Sequence, residues 1–94
     1  MSYAIVWSEN GEAVRAGRLE LAGGSLRLCG SPGRELAYAD VAAARIDRHP
    51  ALRLAGRPTL LIESRAGDSF RVASLEGAGT LNELAERLQS ALVT

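Results

Sequence analysis

The stretch Thr80–Val93, TLNELAERLQSALV, decides the fold, because it is the one segment of the chain with a helical period. Leu81, Leu84, Leu88 and Leu92, joined by Ala85 and Ala91, recur at the three- and four-residue spacing that lines one face of an α-helix. Asn82, Glu83, Glu86, Arg87, Gln89 and Ser90 fall on the other face. Thr80 and Glu83 have capping-box spacing, which predicts a helix over 81–93 that starts at Thr80. With only one apolar face, this helix has to lie on another layer.

Upstream of it the period changes from 3.6 to 2, the period of half-buried strands. Leu19 and Leu21, Leu26 and Leu28, and Leu36 and Tyr38 alternate with polar or small residues. Ala42, Ala44 and Ile46 do the same against Arg45 and Asp47, as do Leu60 and Ile62, then Phe70 and Val72. Tyr3–Trp7 is apolar throughout and reads as a strand buried on both faces; Leu52 and Leu54 suggest a further short strand. About seven strands over 3–75 therefore precede the helix.

Turn residues separate these runs. Asn10-Gly11 suits a type I′ hairpin turn, in which both central residues take positive φ. Ala22-Gly23-Gly24-Ser25, Ser31-Pro32-Gly33 and Ala66-Gly67-Asp68 are weaker signals of the same kind. Tight turns make neighbouring strands antiparallel, and with no helical segment before Thr80 there is no room for parallel crossovers. The expectation is one mainly β domain spanning 1–94, closed by its C-terminal helix.

The 47% hydrophobic and 23% charged residues fit a folded domain and not a disordered tail. The longest apolar run, Tyr3–Trp7, falls far short of the roughly 20 residues of a membrane helix. The amino terminus lacks the basic region and apolar core of a secretory signal, so a cytoplasmic protein is expected, with peripheral attachment to the inner membrane surface as a variant. Eleven basic and 11 acidic residues cancel, which argues against a nucleic-acid coat. Every basic residue is Arg, so chemistry that depends on a deprotonatable amine is missing. The Arg- and Ala-rich, Lys-free composition hints at a bacterial source.

No catalytic signature stands out, and the expectation is a protein that is not an enzyme. Cys29 is the lone cysteine, at a strand end with no His nearby, and reads as a buried inert thiol. His49, with Asp47 and Asp40 upstream, falls short of the three convergent ligands a metal site needs, and His49-Pro50 reads as a strand terminus. Gly77-Ala78-Gly79 stands between a strand and a helix, but Asn82 occupies the third glycine position of the dinucleotide fingerprint, leaving a strand-to-helix corner. No metal or cofactor is expected.

One charged constellation points to a ligand. Arg45, Arg48, Arg53 and Arg57 stand against the single Asp47, a local charge of four minus one, or +3. Guanidinium forks gathered at one sheet end would bind phosphate or carboxylate. The competing reading places them on solvated outward positions of two strands.

The run Gly17-Arg18-Leu19-Glu20-Leu21, Leu26-Arg27-Leu28 and Leu36-Ala37-Tyr38-Ala39-Asp40-Val41, with the terminal helix, resembles bacterial pleckstrin-homology-like (PH-like, GRAM-like) domains. The resemblance covers nearly the whole chain. It implies two roughly orthogonal antiparallel sheets of four and three strands, closed at one corner by the helix. It also implies a non-catalytic scaffold that binds proteins or associates with itself into a homo-oligomer. Phosphoinositide reading is not implied, because the first hairpin loop, Ser8-Glu9-Asn10-Gly11-Glu12, is acidic and the closing helix lacks Trp. A membrane headgroup remains the alternative ligand for the Arg45–Arg57 segment, and nucleic acid is not an expected partner. Exposed sheet edges would supply the contact by strand addition.

Overall fold

The computed structural model describes residues 2–30, 33–47, 57–76 and 78–92. Seven strands run in chain order: β1 (Ser2–Glu9), β2 (Arg15–Leu21), β3 (Ser25–Cys29), β4 (Arg34–Ala37), β5 (Val41–Asp47), β6 (Thr59–Ser64) and β7 (Ser69–Ser74). A 3₁₀ turn, Tyr38–Asp40, joins β4 to β5, and helix α1 (Ala78–Leu92) ends the chain. All strands share one antiparallel sheet of order β4-β3-β2-β1-β7-β6-β5, curled into a half-barrel. Five of its six pairings join strands adjacent in sequence. The sixth, β1 with β7, links the two halves of the chain through pairs from Ile5–Ser74 to Glu9–Phe70.

Period-2 alternation becomes burial as expected. Tyr3, Ile5 and Trp7 of β1 are buried with Leu19, Leu26, Leu28, Leu60, Ile62, Phe70 and Val72 in one apolar cluster. Ala4 and Val6, on the other face of β1, are half-buried, so this strand is covered on both sides. The concave side is closed by α1, whose Leu81, Leu84, Ala85 and Leu88 join the same cluster. Truncating a buried leucine such as Leu84 to Ala costs about 2–5 kcal/mol.

Three local expectations are corrected. The helix begins at Ala78, so Thr80 lies inside its first turn, and the Glu83 carboxylate accepts from Arg87 Nε at 3.1 Å, one helical turn on. Tyr38 leaves β4 for the 3₁₀ turn, and its hydroxyl donates to the Ala22 carbonyl at 2.6 Å. Ala42 is exposed, because the β5–β6 register shifts between Val41 and Ala43 and moves Val41 into the core instead. The suggested strand at Leu52 and Leu54 lies outside the described residues.

Asn10 and Gly11 do form a left-handed pair, with φ of 52° and 76°, and the Glu12 amide donates to the Glu9 carbonyl at 2.9 Å. The ladder resumes at Trp7–Arg15, which places one residue between Trp7 and Glu9 and two between Glu12 and Arg15, so the β2 side carries one extra residue. Asn10 also clasps the β6–β7 turn. Its amide donates to the Ser69 carbonyl at 2.7 Å, its Oδ1 accepts from the Ser69 amide at 2.8 Å, and its Nδ2 donates to Asp68 Oδ1 at 3.1 Å.

Trp7 is fully buried and packs against Phe70 with ring centroids 6.4 Å apart. The Arg15 guanidinium lies 4.5 Å from its ring centroid, and its Nε1 donates to the Cys29 carbonyl at 3.3 Å. That bond requires β2 to pass close under β3, and Gly17 makes the approach possible. A methyl group there would overlap the Cys29 carbonyl oxygen and press on the indole. Gly17→Ala is expected to destabilise the fold by about 3 kcal/mol or more, read from urea unfolding midpoints; a loss under about 1 kcal/mol would show that the strands give way freely.

Candidate functional site

Of the four arginines singled out in the sequence, Arg45 and Arg57 fall among the described residues, and each has a different partner. Arg48 and Arg53, with His49, lie outside the described residues. Arg45 stands on β5 opposite Leu61, with its side chain 60% exposed and Nη1 3.8 Å from Glu63 Oε1. Arg57 precedes β6 and donates from Nη1 to the Ser74 carbonyl at 3.1 Å, so it serves the β7 end of the sheet. Leu61 is four positions along the chain from Arg57, about 13 Å at extended spacing.

Cys29 is half-buried, less enclosed than an inert core thiol would be. It follows Leu28 on β3 and so points to the outer face, where Sγ donates to Glu20 Oε1 at 3.6 Å. Burial pushes its pKa up, and the Glu20 carboxylate raises it further by hydrogen bonding and charge. No group of three His, Cys, Asp or Glu side chains among the described residues is placed to hold a metal ion.

Beyond Arg45 and Arg57, the structure positions charges in ways the sequence did not signal. Arg34, at the start of β4, donates from Nε to Glu9 Oε1 at 2.7 Å, tying the first edge strand to the end of β1. The Glu9 side chain is only 12% exposed, and this bond raises the Arg34 pKa further above its usual value. On β4 itself, Glu35 accepts from Arg27 Nη2 at 3.2 Å and from the Ser25 hydroxyl at 3.1 Å, which lowers its pKa.

Two grooves flank α1. One, of about 560 Å³, runs between the helix and the Tyr38 turn, with Leu21, Glu83, Arg87 and Ser90 in its walls. The other, of about 710 Å³, runs along β5, between Arg45 and Ile46 on the strand and Asn82, Glu86 and Gln89 on the helix. Across the second groove Gln89 Nε2 donates to the Ala44 carbonyl at 2.6 Å. Ala44 is paired with Ile62, and the direction of its carbonyl shows that its main-chain groups leave β5 on the side away from β6. The outer edge of β5 is therefore lined by a helix side chain and a groove, whereas the β4 edge has only four residues and carries Arg34 and Glu35. Gln89 was legible in the sequence only as a polar-face residue of the helix; its contact with a residue 45 positions away is a product of tertiary packing.

No family model matches the chain, and no curated protein is similar to it at a significant level. Among solved structures, it is similar to the C-terminal domain of an unknown protein from Leishmania infantum. The TM-score is 0.77 at 11% sequence identity, with 100% of this chain and 83% of that chain covered. That likeness concerns the fold alone.

The raised Cys29 pKa has a testable sign. Less thiolate at neutral pH means slower alkylation than a free cysteine shows, and Glu20→Gln, which removes the raising carboxylate, is expected to speed maleimide labelling a few-fold. Equal rates in the two proteins would show that Glu20 does not control the thiol.

Proposed function

We propose that this chain is a non-catalytic interaction module of the PH-like kind, working by protein binding or self-association. The order β4-β3-β2-β1-β7-β6-β5 followed by a helix supports that reading, since strands β1–β4 and β5–β7 can be taken as the two roughly orthogonal layers of such a domain. The observation that carries the functional part is the β5 edge. It is seven residues long, its Ala44 main-chain groups point outward, and a groove of about 710 Å³ runs beside it. An extended segment pairing there would gain main-chain hydrogen bonds from the edge and side-chain contacts from the helix.

The alternative, an anion or phospholipid-headgroup site on Arg45–Arg57, has weaker support, because Arg45 faces Glu63 and Arg57 is spent on a main-chain carbonyl. A protein at work in the cytoplasm or at the inner membrane surface fits the interaction reading. No helix among the described residues is long and apolar enough to cross a membrane.

Light scattering across a low-micromolar to millimolar series is expected to show a mass that rises with concentration. A constant monomer mass, from a protein that also retains no partner from lysate, would overturn the reading. Amide spectra recorded with inositol phosphates at two salt concentrations are expected to stay unchanged at Arg45 and Arg57; saturable, salt-sensitive shifts there would favour the anion site instead.

A further inference from the structure

An open sheet leaves its edge strands able to pair with another chain, and natural edges are blunted against it. β4 is short and charged. β5 is longer and carries three consecutive alanines, Ala42, Ala43 and Ala44, so its own side chains do little to keep another strand away. What occupies its edge is Gln89, whose side-chain amide donates to the Ala44 carbonyl at 2.6 Å. An N–H from an added strand would have to take that same place.

We propose that the β5 edge is a self-pairing surface and that Gln89 is the latch that keeps it shut. The inference rests on the interaction reading above and adds the occupant, a second copy of this chain, and the means of control. Two β5 strands can meet antiparallel about a two-fold axis at Ala44, so that each Ala44 exchanges both main-chain bonds with its counterpart. In that register Arg45 faces Ala43 of the second copy, on the regular part of β5 beyond the shift at Val41–Ala43.

The charges suit this arrangement. Ala43 is paired with Glu63 on β6, so Arg45 of one copy, Ala43 of the other and Glu63 of the other fall in one row on one face of the joined sheet. Strand spacing puts Arg45 about 10 Å from Glu63 of the second copy, measured between main chains, with only an alanine methyl between them. Each Arg45 would then lie between two Glu63 carboxylates, its own at 3.8 Å and that of the second copy. No like charges stand directly opposite. Because both Ala44 carbonyls are used, each Gln89 side chain competes with the incoming amide for the same oxygen and for the space beside the edge.

Gln89→Met tests the latch, because methionine keeps the length of the side chain and suits a helix but donates no hydrogen bond. Self-association, measured by sedimentation equilibrium on the full chain, is expected to tighten about five- to hundredfold, as two fewer donors must be released. Gln89→Ala, which also clears the groove, is expected to tighten it at least as far. Arg45→Glu is expected to weaken association a few-fold, and Arg45→Glu with Glu63→Arg to restore it. Circular dichroism of each variant confirms that the fold is retained, and amide exchange at Ala44 and Ile46 should slow as concentration rises.

A wild type that associates while Gln89→Met associates no more tightly would overturn the latch and leave the interaction reading standing. Wild type and both Gln89 variants remaining monomeric throughout would overturn the self-pairing surface together with the self-association it rests on. Tightening in the Gln89 variants with no effect of Arg45→Glu would retain the latch and reject the register.

Discussion

The pairing of β1 with β7 is the contact on which the rest of this structure depends. Every other strand pair joins sequence neighbours, so each could form over a shorter span of chain. Only the Ile5–Ser74 to Glu9–Phe70 ladder brings residues roughly 60 to 70 positions apart into register. It places Trp7 opposite Val72 and beside Phe70, and so turns two separate strand groups into one concave surface. Without it the apolar face of α1 would have β5, β6 and β7 to lie on but not Tyr3, Ile5, Leu19, Leu26 and Leu28 to complete its core. The entropy of closing so long a loop has to be met before these contacts form, which makes this ladder the natural candidate for the slow step of folding.

Side-chain bonds reinforce that junction where the strands end. Asn10 leaves β1 in a left-handed conformation and takes three hydrogen bonds across to Asp68 and Ser69 at the start of β7. Ser64 Oγ accepts from the amides of Ala66 and Asp68, which holds the β6–β7 turn in the shape that Asn10 meets. Arg65 then carries the connection to the 3₁₀ turn, with its amide on the Asp40 carbonyl at 2.8 Å and its Nε on the Ala39 carbonyl at 2.9 Å. One face of the curled sheet is thus laced through three turns. At the groove-lined β5 edge, by contrast, a helix side chain, Gln89, reaches the Ala44 carbonyl.

How much of this was legible in the sequence depended on whether the cause was local. Strand positions and the helix follow from apolar spacing, and the left-handed Asn10-Gly11 pair follows from residue type, so both could be read directly. The 3₁₀ turn at Tyr38 escaped, because its aromatic continues the Leu36 alternation while its carbonyl already accepts from the Val41 amide and closes the turn. The exposed Ala42 escaped because a one-residue bulge inverts the face of every earlier side chain, and a run of alanines conceals the inversion. The early start of α1 reflects a glycine-flanked segment whose composition disfavours a helix but whose position after β7 permits one. Clustered arginines in the sequence say that charge is near, not that the forks converge; Arg45 and Arg57 serve different strands. Gln89 carries no signal at all until the helix is packed.

A half-barrel must solve a problem that a closed barrel does not have. Among the described residues, seven strands curled around one helix leave two edges, and each unpaired main-chain group on them is a place where another chain can bind. The β4 edge is resolved by its own composition: four residues, an Arg34–Glu9 bond at one end and an Arg27–Glu35 pair along its length. These interactions belong to the strand and its own sheet neighbours. The β5 edge differs, for there a neutral side chain on a separate element, Gln89, reaches across a groove large enough to take more than that side chain. A neutral hydrogen bond of this kind contributes about 1 kcal/mol net, which thermal motion breaks often. An edge that had only to be silenced could have been given a lysine or a proline. In the proposed arrangement a bond this weak would keep the edge both protected and available, and that difference between the two ends of one sheet is the strongest physical reason to place the proposed contact surface at β5.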